Sequence, residues 1–153
     1  MSNNNDRIRQ GDIYWVDYVA PGFDCPKTRP CVVVSATIYN KEGSDVIVCP
    51  LSGSVTRTDL PCNIYIGEPV DGPAWVKTNQ MQTVAYNQLK PESRCGGISS
   101  SDILRVTWGI MRQIALVDEQ MIANDLKRVS ENEAIMLNEY QDGDEAATYP
   151  VEV

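Results

Sequence analysis

The chain of 153 residues contains no histidine and no pair of cysteines at C-x-x-C spacing. Without histidine the usual general base near neutral pH is missing, so acid–base chemistry falls to arginine, lysine, carboxylates or a hydroxyl. The five cysteines, Cys25, Cys31, Cys49, Cys62 and Cys95, have no imidazole to share a metal with, and neither a zinc site nor any other metal or cofactor is expected. Their odd number favours free thiols, and Cys31 and Cys49 sit inside apolar runs where cysteine acts as a small hydrophobe. No apolar run approaches the ~20 residues that span a bilayer. The opening MSNNNDRIRQGD lacks the apolar core of a signal peptide. These absences together imply a cytoplasmic protein without a membrane partner.

What is present fits one domain with a real core and an appendage. The net charge of −8 would argue against a polyanion ligand, but its distribution reverses that reading. Residues 118–153 hold ten acids against two bases, while the other 117 residues carry eleven of each sign. A neutral body of that kind can still focus positive potential in a cleft. The expected boundaries are therefore a folded domain over 1–117 and an acidic extension over 118–153, helical at first and then disordered.

From Gly11 to about Leu89 the chain reads as short strands separated by turn residues, the pattern of a small barrel or sandwich. IYWVDYV opens it, with Ile13, Trp15 and Tyr18 expected to point inward. APGFDCPKTRP follows as a long loop, with Pro30 at the first position of a CVVVS strand. NKEG at Asn40–Gly43 reads as a turn, Val46–Cys49 as a buried strand ended by Pro50, and NIYI and WVKT as further strands. At CGGISSSD, Gly96 and Gly97 break the chain, Ser99 to Ser101 offer a helix cap and Asp102 places a carboxylate in the first turn. Ile103, Val106, Ile110, Ile114 and Val117 then recur at spacings of three or four, a helical stripe that would dock on the strands. A second, weaker helical pattern follows.

In KTRPCVVVS, an arginine held beside a strand by the proline after it presents a planar, permanently charged fork in one place. Such a group calls for an anion. The order RQGDIYWVD, KTRPCVVVS, VIVCPLSGS, VKTNQMQTV, then a helix rich in Ile and Met, resembles the MazF/PemK (Kid) family of toxin endoribonucleases over Arg9 to about Val117. The resemblance implies a mostly β fold with a C-terminal helix, an SH3-like small barrel of the CcdB/PemK type, and a homodimer neutralised by a cognate antitoxin peptide. It also implies metal-independent, sequence-specific cleavage of single-stranded RNA. On the matching positions Arg29 would act on the scissile phosphate, Asp24 would be the loop carboxylate and Ser52 the hydroxyl of the P-x-T segment. Lys27, Thr28, Lys77, Asn79, Gln80, Gln82 and Thr83 would contact RNA. Asn79 and Gln82 depart from the family pattern, which more often has an acid and an arginine at those positions.

The chemistry can be argued from the residues themselves. Cleavage of RNA by its own 2′-hydroxyl needs that oxygen deprotonated, the phosphorane charge stabilised and the 5′ oxygen protonated. Arg29 can give two parallel charge-assisted hydrogen bonds as charge builds. Asp24 is the matched residue that could serve as base, provided burial raises its pKa. Blander readings stand beside these. Arg29 could pair with Asp24 or Asp17 as a structural salt bridge, Ser52 could be a turn hydroxyl, and the three tryptophans could be core. Two other functions compete: a non-catalytic module binding RNA or a protein, and a gyrase poison of the CcdB type. The acidic extension reads either as solvated charge or as a lid over the RNA groove.

Overall fold

A computed structural model describes residues 8–67, 70, 72, 75–114 and 119–141. Seven strands are present among them: β1 (Asp12–Tyr18), β2 (Lys27–Val33), β3 (Asp45–Ser52), β4 (Asn63–Tyr65), β5 (Trp75–Lys77), β6 (Gln82–Ala85) and β7 (Arg94–Gly97). Three helices join them: α1 (Thr37–Glu42), α2 (Ser100–Ile114) and α3 (Glu119–Gln141). All strand pairings are antiparallel, in the order β4-β5-β3-β2-β1-β7, with β6 beside β3. No described pairing joins β4 to β7, so the small barrel is an open one.

Strand β3 organises the bend. On one side it pairs β2, from Cys31↔Pro50 to Val33↔Val48. Its other side is divided, Asp45 to Val48 pairing β6 while Leu51 and Ser52 pair β5. Pro50 falls in the gap between those two ladders, where a missing N–H breaks no bond on that side. The proline therefore does not end the strand, as the sequence led us to expect. Pro30 behaves alike: β2 begins three residues before it, and its ladder to β3 starts only at Cys31.

Both faces of the sheet are buried. One face gathers Tyr14, Val16, Tyr18, Cys31, Val33, Val46, Val48 and Val84. The other gathers Ile13, Val32, Cys49, Leu51, Ile64 and Val76 under Val106 of α2. Ile13 and Tyr18 are inward as expected, on opposite faces. Trp15 is not, being 45% exposed. It shares a face with Ile13, beyond the stretch that Val106 covers.

Helix α2 starts where Ser99 Oγ accepts the Asp102 N–H at 3.2 Å, as the cap signal predicts. It is pinned by close approach. An ideal Cβ on Gly11, whose φ is +91°, would lie 2.6 Å from Ile103 Cδ1. One on Gly109 would lie 3.0 Å from Ile64 Cδ1 and 3.3 Å from the Pro61 carbonyl. The stripe runs off the sheet before its end, since Ile114 is 80% exposed, and Val117 lies outside the described residues. Gly96 and Gly97, expected to break the chain, instead form the end of β7 against Ile13 and Asp12.

Helix α1 replaces the expected NKEG turn. TIYNKE has no side-chain cap, yet Asn40 is buried and donates to the Ile8 and Ser35 carbonyls while accepting from Ser35 Oγ at 2.6 Å. That satisfied amide supplies what helix propensity does not.

The chain divides into two compact units, Met1–Leu116 and Val117–Val153. Within the second, α3 carries exposed ion pairs one turn apart, Arg128–Asp125 at 3.3 Å and Lys127–Glu131 at 3.8 Å. Among the described residues no helix is long and apolar enough to cross a membrane.

Candidate nucleic-acid interface

Antiparallel register places several of the singled-out side chains on one face. Tyr18 lies opposite Lys27, and Val16 opposite Arg29. Lys27 and Arg29 therefore extend the Cys31 and Val33 row outward from the core to the open end of the sheet. Gln82, opposite Val48, belongs to the same face. Ser52 follows Val48 and Pro50 in the alternation of β3, and the Cys31↔Pro50 register carried two residues outward would set it across from Arg29.

Two hydrogen bonds hold this mouth together. Buried Tyr18 donates its hydroxyl to the Gln80 carbonyl at 2.8 Å, and Gln82 Nε2 donates to the Val19 carbonyl at 2.6 Å. The end of β1 is thereby tied to the segment leading into β6. That segment is anchored from behind by Thr78, which is buried. Its N–H and hydroxyl both donate to the Cys62 carbonyl, and it accepts from Gln113 Nε2 at 2.8 Å. Burial pushes the Tyr18 hydroxyl up to about 12, with the Cys31 and Cys49 thiols adding to the rise and the Arg29 cation opposing it. Near neutral pH the bond to Gln80 is thus always made by the protonated phenol.

Between the loop and the sheet lies a shallow open depression, lined by Tyr18, Ala20, Phe23, Cys25, Lys27 and Arg29. Arg29 is half-buried there. Neither Lys27 nor Arg29 makes an ion pair among the described residues. The salt bridge to Asp24 or Asp17 that a structural arginine would make is not formed. Asp17 instead accepts the Thr28 hydroxyl at 2.7 Å. A cation left uncompensated beside a concavity is an anion receptor in waiting.

The remaining candidates divide. Asp24 is exposed in the β1–β2 loop, so the burial that a general-base role asks of it is not found. Ser52 Oγ donates to the Ser54 carbonyl at 2.6 Å, the bond of a turn hydroxyl. Lys77 lies two strands from Arg29, opposite Asn63. Asn79 is exposed, and exposed Thr83 lies opposite Ile47, on the face away from Gln82. Tyr18, Phe23 and Cys25 were not singled out for the mouth from sequence. The signal for Tyr18 was available, since its parity along β1 matches that of Lys27 and Arg29 along β2.

The pattern of PemK-like, MazF-like toxins of type II toxin-antitoxin systems matches residues 9–114. The chain belongs to that family. No curated protein matches the sequence. Among solved structures it is similar to an endoribonuclease from a mycobacterial species, at TM-score 0.58 and 17% identity over 72% of this chain and 93% of that one. It is also similar to MazF from Deinococcus radiodurans, at TM-score 0.59 and 13% identity over 71% and 97% of the two chains. A third similar structure is a mycobacterial endoribonuclease in complex with its cognate antitoxin, at TM-score 0.58 and 18% identity over 72% and 98%. At such identities these likenesses establish the shared fold, an antiparallel sheet with a C-terminal helix. The matched segment 9–114 of this PemK-like toxin contains the whole sheet, α1 and α2, and leaves α3 outside.

Proposed function

We propose that this PemK-like toxin is a metal-independent endoribonuclease that cuts single-stranded RNA, with Arg29 gripping the scissile phosphate. The observation that carries this reading is the half-buried Arg29 guanidinium, without an ion-pair partner among the described residues, in a depression that also contains Lys27. As the 2′-oxygen attacks phosphorus, negative charge grows on the equatorial oxygens. Arg29 meets it with two N–H donors, Lys27 adds a second cation at the rim, and the P–O5′ bond breaks to leave a 2′,3′-cyclic phosphate, the departing 5′ oxygen taking its proton from solvent water. The nucleophile is part of the substrate, so the scheme calls on no metal. Asp24 takes the 2′-hydroxyl proton, with the bound strand supplying the burial that the free loop lacks. Ser52 gives up its bond to Ser54 to donate to the phosphate. Gln80 and Gln82, held by Tyr18 and the β1 end, line the path of the strand, with exposed Asn79 beside them. A homodimer and a neutralising antitoxin peptide complete the reading.

The test is incubation of the full chain with a long single-stranded RNA in EDTA, beside Arg29→Ala, with mapping of new 5′ ends. Discrete cuts that persist in EDTA and vanish in the variant support the reading. Intact RNA with wild type, and again after removal of residues 118–153, would favour a module that binds without cutting. The exposure of Asp24 and the engaged hydroxyl of Ser52 are the observations on that side.

A further inference from the structure

Two aromatic side chains stand beside the proposed phosphate grip with no role in it. Ser52 pairs with Trp75, and Trp75 pairs with Tyr65. Paired residues on neighbouring strands project to the same face, so Ser52, Trp75 and Tyr65 form one row across β3, β5 and β4, and the β2–β3 register carried two residues past its last pair, Cys31↔Pro50, would bring Arg29 to the end of that row. At ~4.8 Å per strand, the Trp75 backbone lies roughly 10 Å from that of Arg29 and Tyr65 one strand further. Lys77, two residues along β5, faces the same way as Trp75.

The two rings are preorganised. Their centroids are 5.1 Å apart at an interplanar angle of 63°, an edge-to-face pair in which each ring holds the other's orientation. Behind them, Arg105 Nη1 of α2 donates to the Tyr65 carbonyl at 2.7 Å and fixes the backbone of β4. Even so, Tyr65 is 51% exposed and Trp75 is incompletely buried. Aromatic faces interleaved with a lysine that makes no ion pair among the described residues, near the arginine proposed to hold a phosphate, are the chemistry that holds single-stranded nucleic acid, in which each base offers a π-face and each link an anion.

We propose that Tyr65 and Trp75 form a stacking platform for a base of single-stranded RNA close to the phosphate held at Arg29. This rests on the reading of the chain as an RNA-cutting toxin and adds to it a place where the base beside the cut is gripped. Tyr65 offers the open face, Trp75 keeps it in position, and Lys77 meets the next phosphate. Stacking of this kind tolerates every base, so the platform strengthens binding and sets the strand's register without choosing a sequence.

The experiment measures binding of the full chain to two uncleavable probes, a single-stranded 2′-O-methyl oligonucleotide of mixed sequence and an abasic ribose-phosphate oligomer of equal length. Wild type is expected to prefer the base-bearing probe by about tenfold or more. Trp75→Ala and Tyr65→Leu lose that margin, Tyr65→Phe keeps it because the ring remains, and all four proteins bind the abasic probe alike. A margin that survives in Trp75→Ala and Tyr65→Leu overturns the platform, as does a wild type that cuts RNA yet binds both probes equally; the RNA-cutting reading then stands alone. A wild type that neither binds nor cuts RNA overturns both. If Trp75→Ala instead changes the sedimenting mass while the margin persists, the face belongs to a second copy of the chain and the proposal fails.

Discussion

Two arginines at the two ends of the β1 strand are treated in opposite ways. At the start of β1, Arg94 from β7 meets Asp12 at 3.0 Å, and the same buried carboxylate also accepts the Arg9 N–H at 3.1 Å. That bond raises the Arg94 pKa further and ties the sheet's edge to its neighbour. At the far end, Arg29 has Val16 across the ladder, Lys27 beside it and no ion pair among the described residues. A charge that serves the fold is matched within the fold. One that is left unmatched in a concavity costs solvation unless something outside supplies the counter-charge.

The largest effect should come from breaking this asymmetry at its open end. Arg29→Ala is expected to lower RNA cleavage by about 10²–10³-fold, the loss typical of removing a preorganised donor. Its melting temperature should barely move, since no partner is abandoned. Arg94→Ala should do the reverse. Cleavage survives, while the Asp12 carboxylate loses a charged donor at a cost of about 1–3 kcal/mol, or several degrees in melting temperature. Single-turnover cleavage and thermal unfolding of both variants check this together. Equal damage to activity from both would end the distinction.

Alkaline titration sharpens it from the side of the core. Burial pushes the Cys31 and Cys49 thiols up to about 12 from an ordinary 9.0. The folded state therefore keeps protons that an unfolded chain has released. Their contribution is whole below about pH 9 and is lost as pH rises toward 12, at roughly 1.4 kcal/mol per pH unit for each thiol. Denaturant midpoints should thus fall steeply between pH 9 and 10. The exposed Cys25 at the mouth should be alkylated in the native protein at pH 8, with Cys31 and Cys49 labelled only on unfolding. Native-state labelling of all three at one rate would show that the core at β2 and β3 is no more closed than the loop.

Tyr18→Phe probes the joint between the two regions. It removes the 2.8 Å bond to Gln80 while keeping the buried ring, at an expected cost of about 1 kcal/mol. Cleavage should fall several-fold, because the segment carrying Gln80 and Gln82 loses one of its two ties to β1. A variant that melts earlier yet cuts at the wild-type rate would detach the Gln80 segment from the site.

The same contrast decides what could be read from the sequence. Apolar alternation, the cap at Ser99 and the helical stripe are local signals, and the sheet and α2 followed from them. The errors fell where tertiary contacts overrule local chemistry. Pro30 and Pro50 look like strand ends until the ladders show that each lies where a bond can be spared. TIYNKE is a poor helix on propensity, and its buried Asn40 amide is what holds it. Trp15 looked like core because nothing in β1 reveals where cover from α2 ends. That Arg29 stands beside a strand as an exposed-side cation was legible from its neighbours in the chain, and the structure puts it on the wall of a depression. The Tyr65–Trp75 ring pair was not legible, because it is set by the register between β4 and β5 and not by neighbours in the chain.

Ser52→Ala should produce the smallest change, and for that reason it tests the row most finely. The hydroxyl already has a partner, donating to the Ser54 carbonyl at 2.6 Å and accepting the Ser54 N–H at 3.4 Å. To assist at the phosphate it must exchange one hydrogen bond for another, so its net contribution is bounded by the difference between a neutral bond and a charge-assisted one, about 1 kcal/mol. Cleavage should therefore fall by no more than about tenfold, with stability changed by a few tenths of a kcal/mol at an exposed turn. Combining Ser52→Ala with Arg29→Ala separates the alternatives. If the hydroxyl acts at the phosphate that Arg29 holds, its effect shrinks once Arg29 is gone, because the two share one charge; if it only shapes the turn, the two losses add.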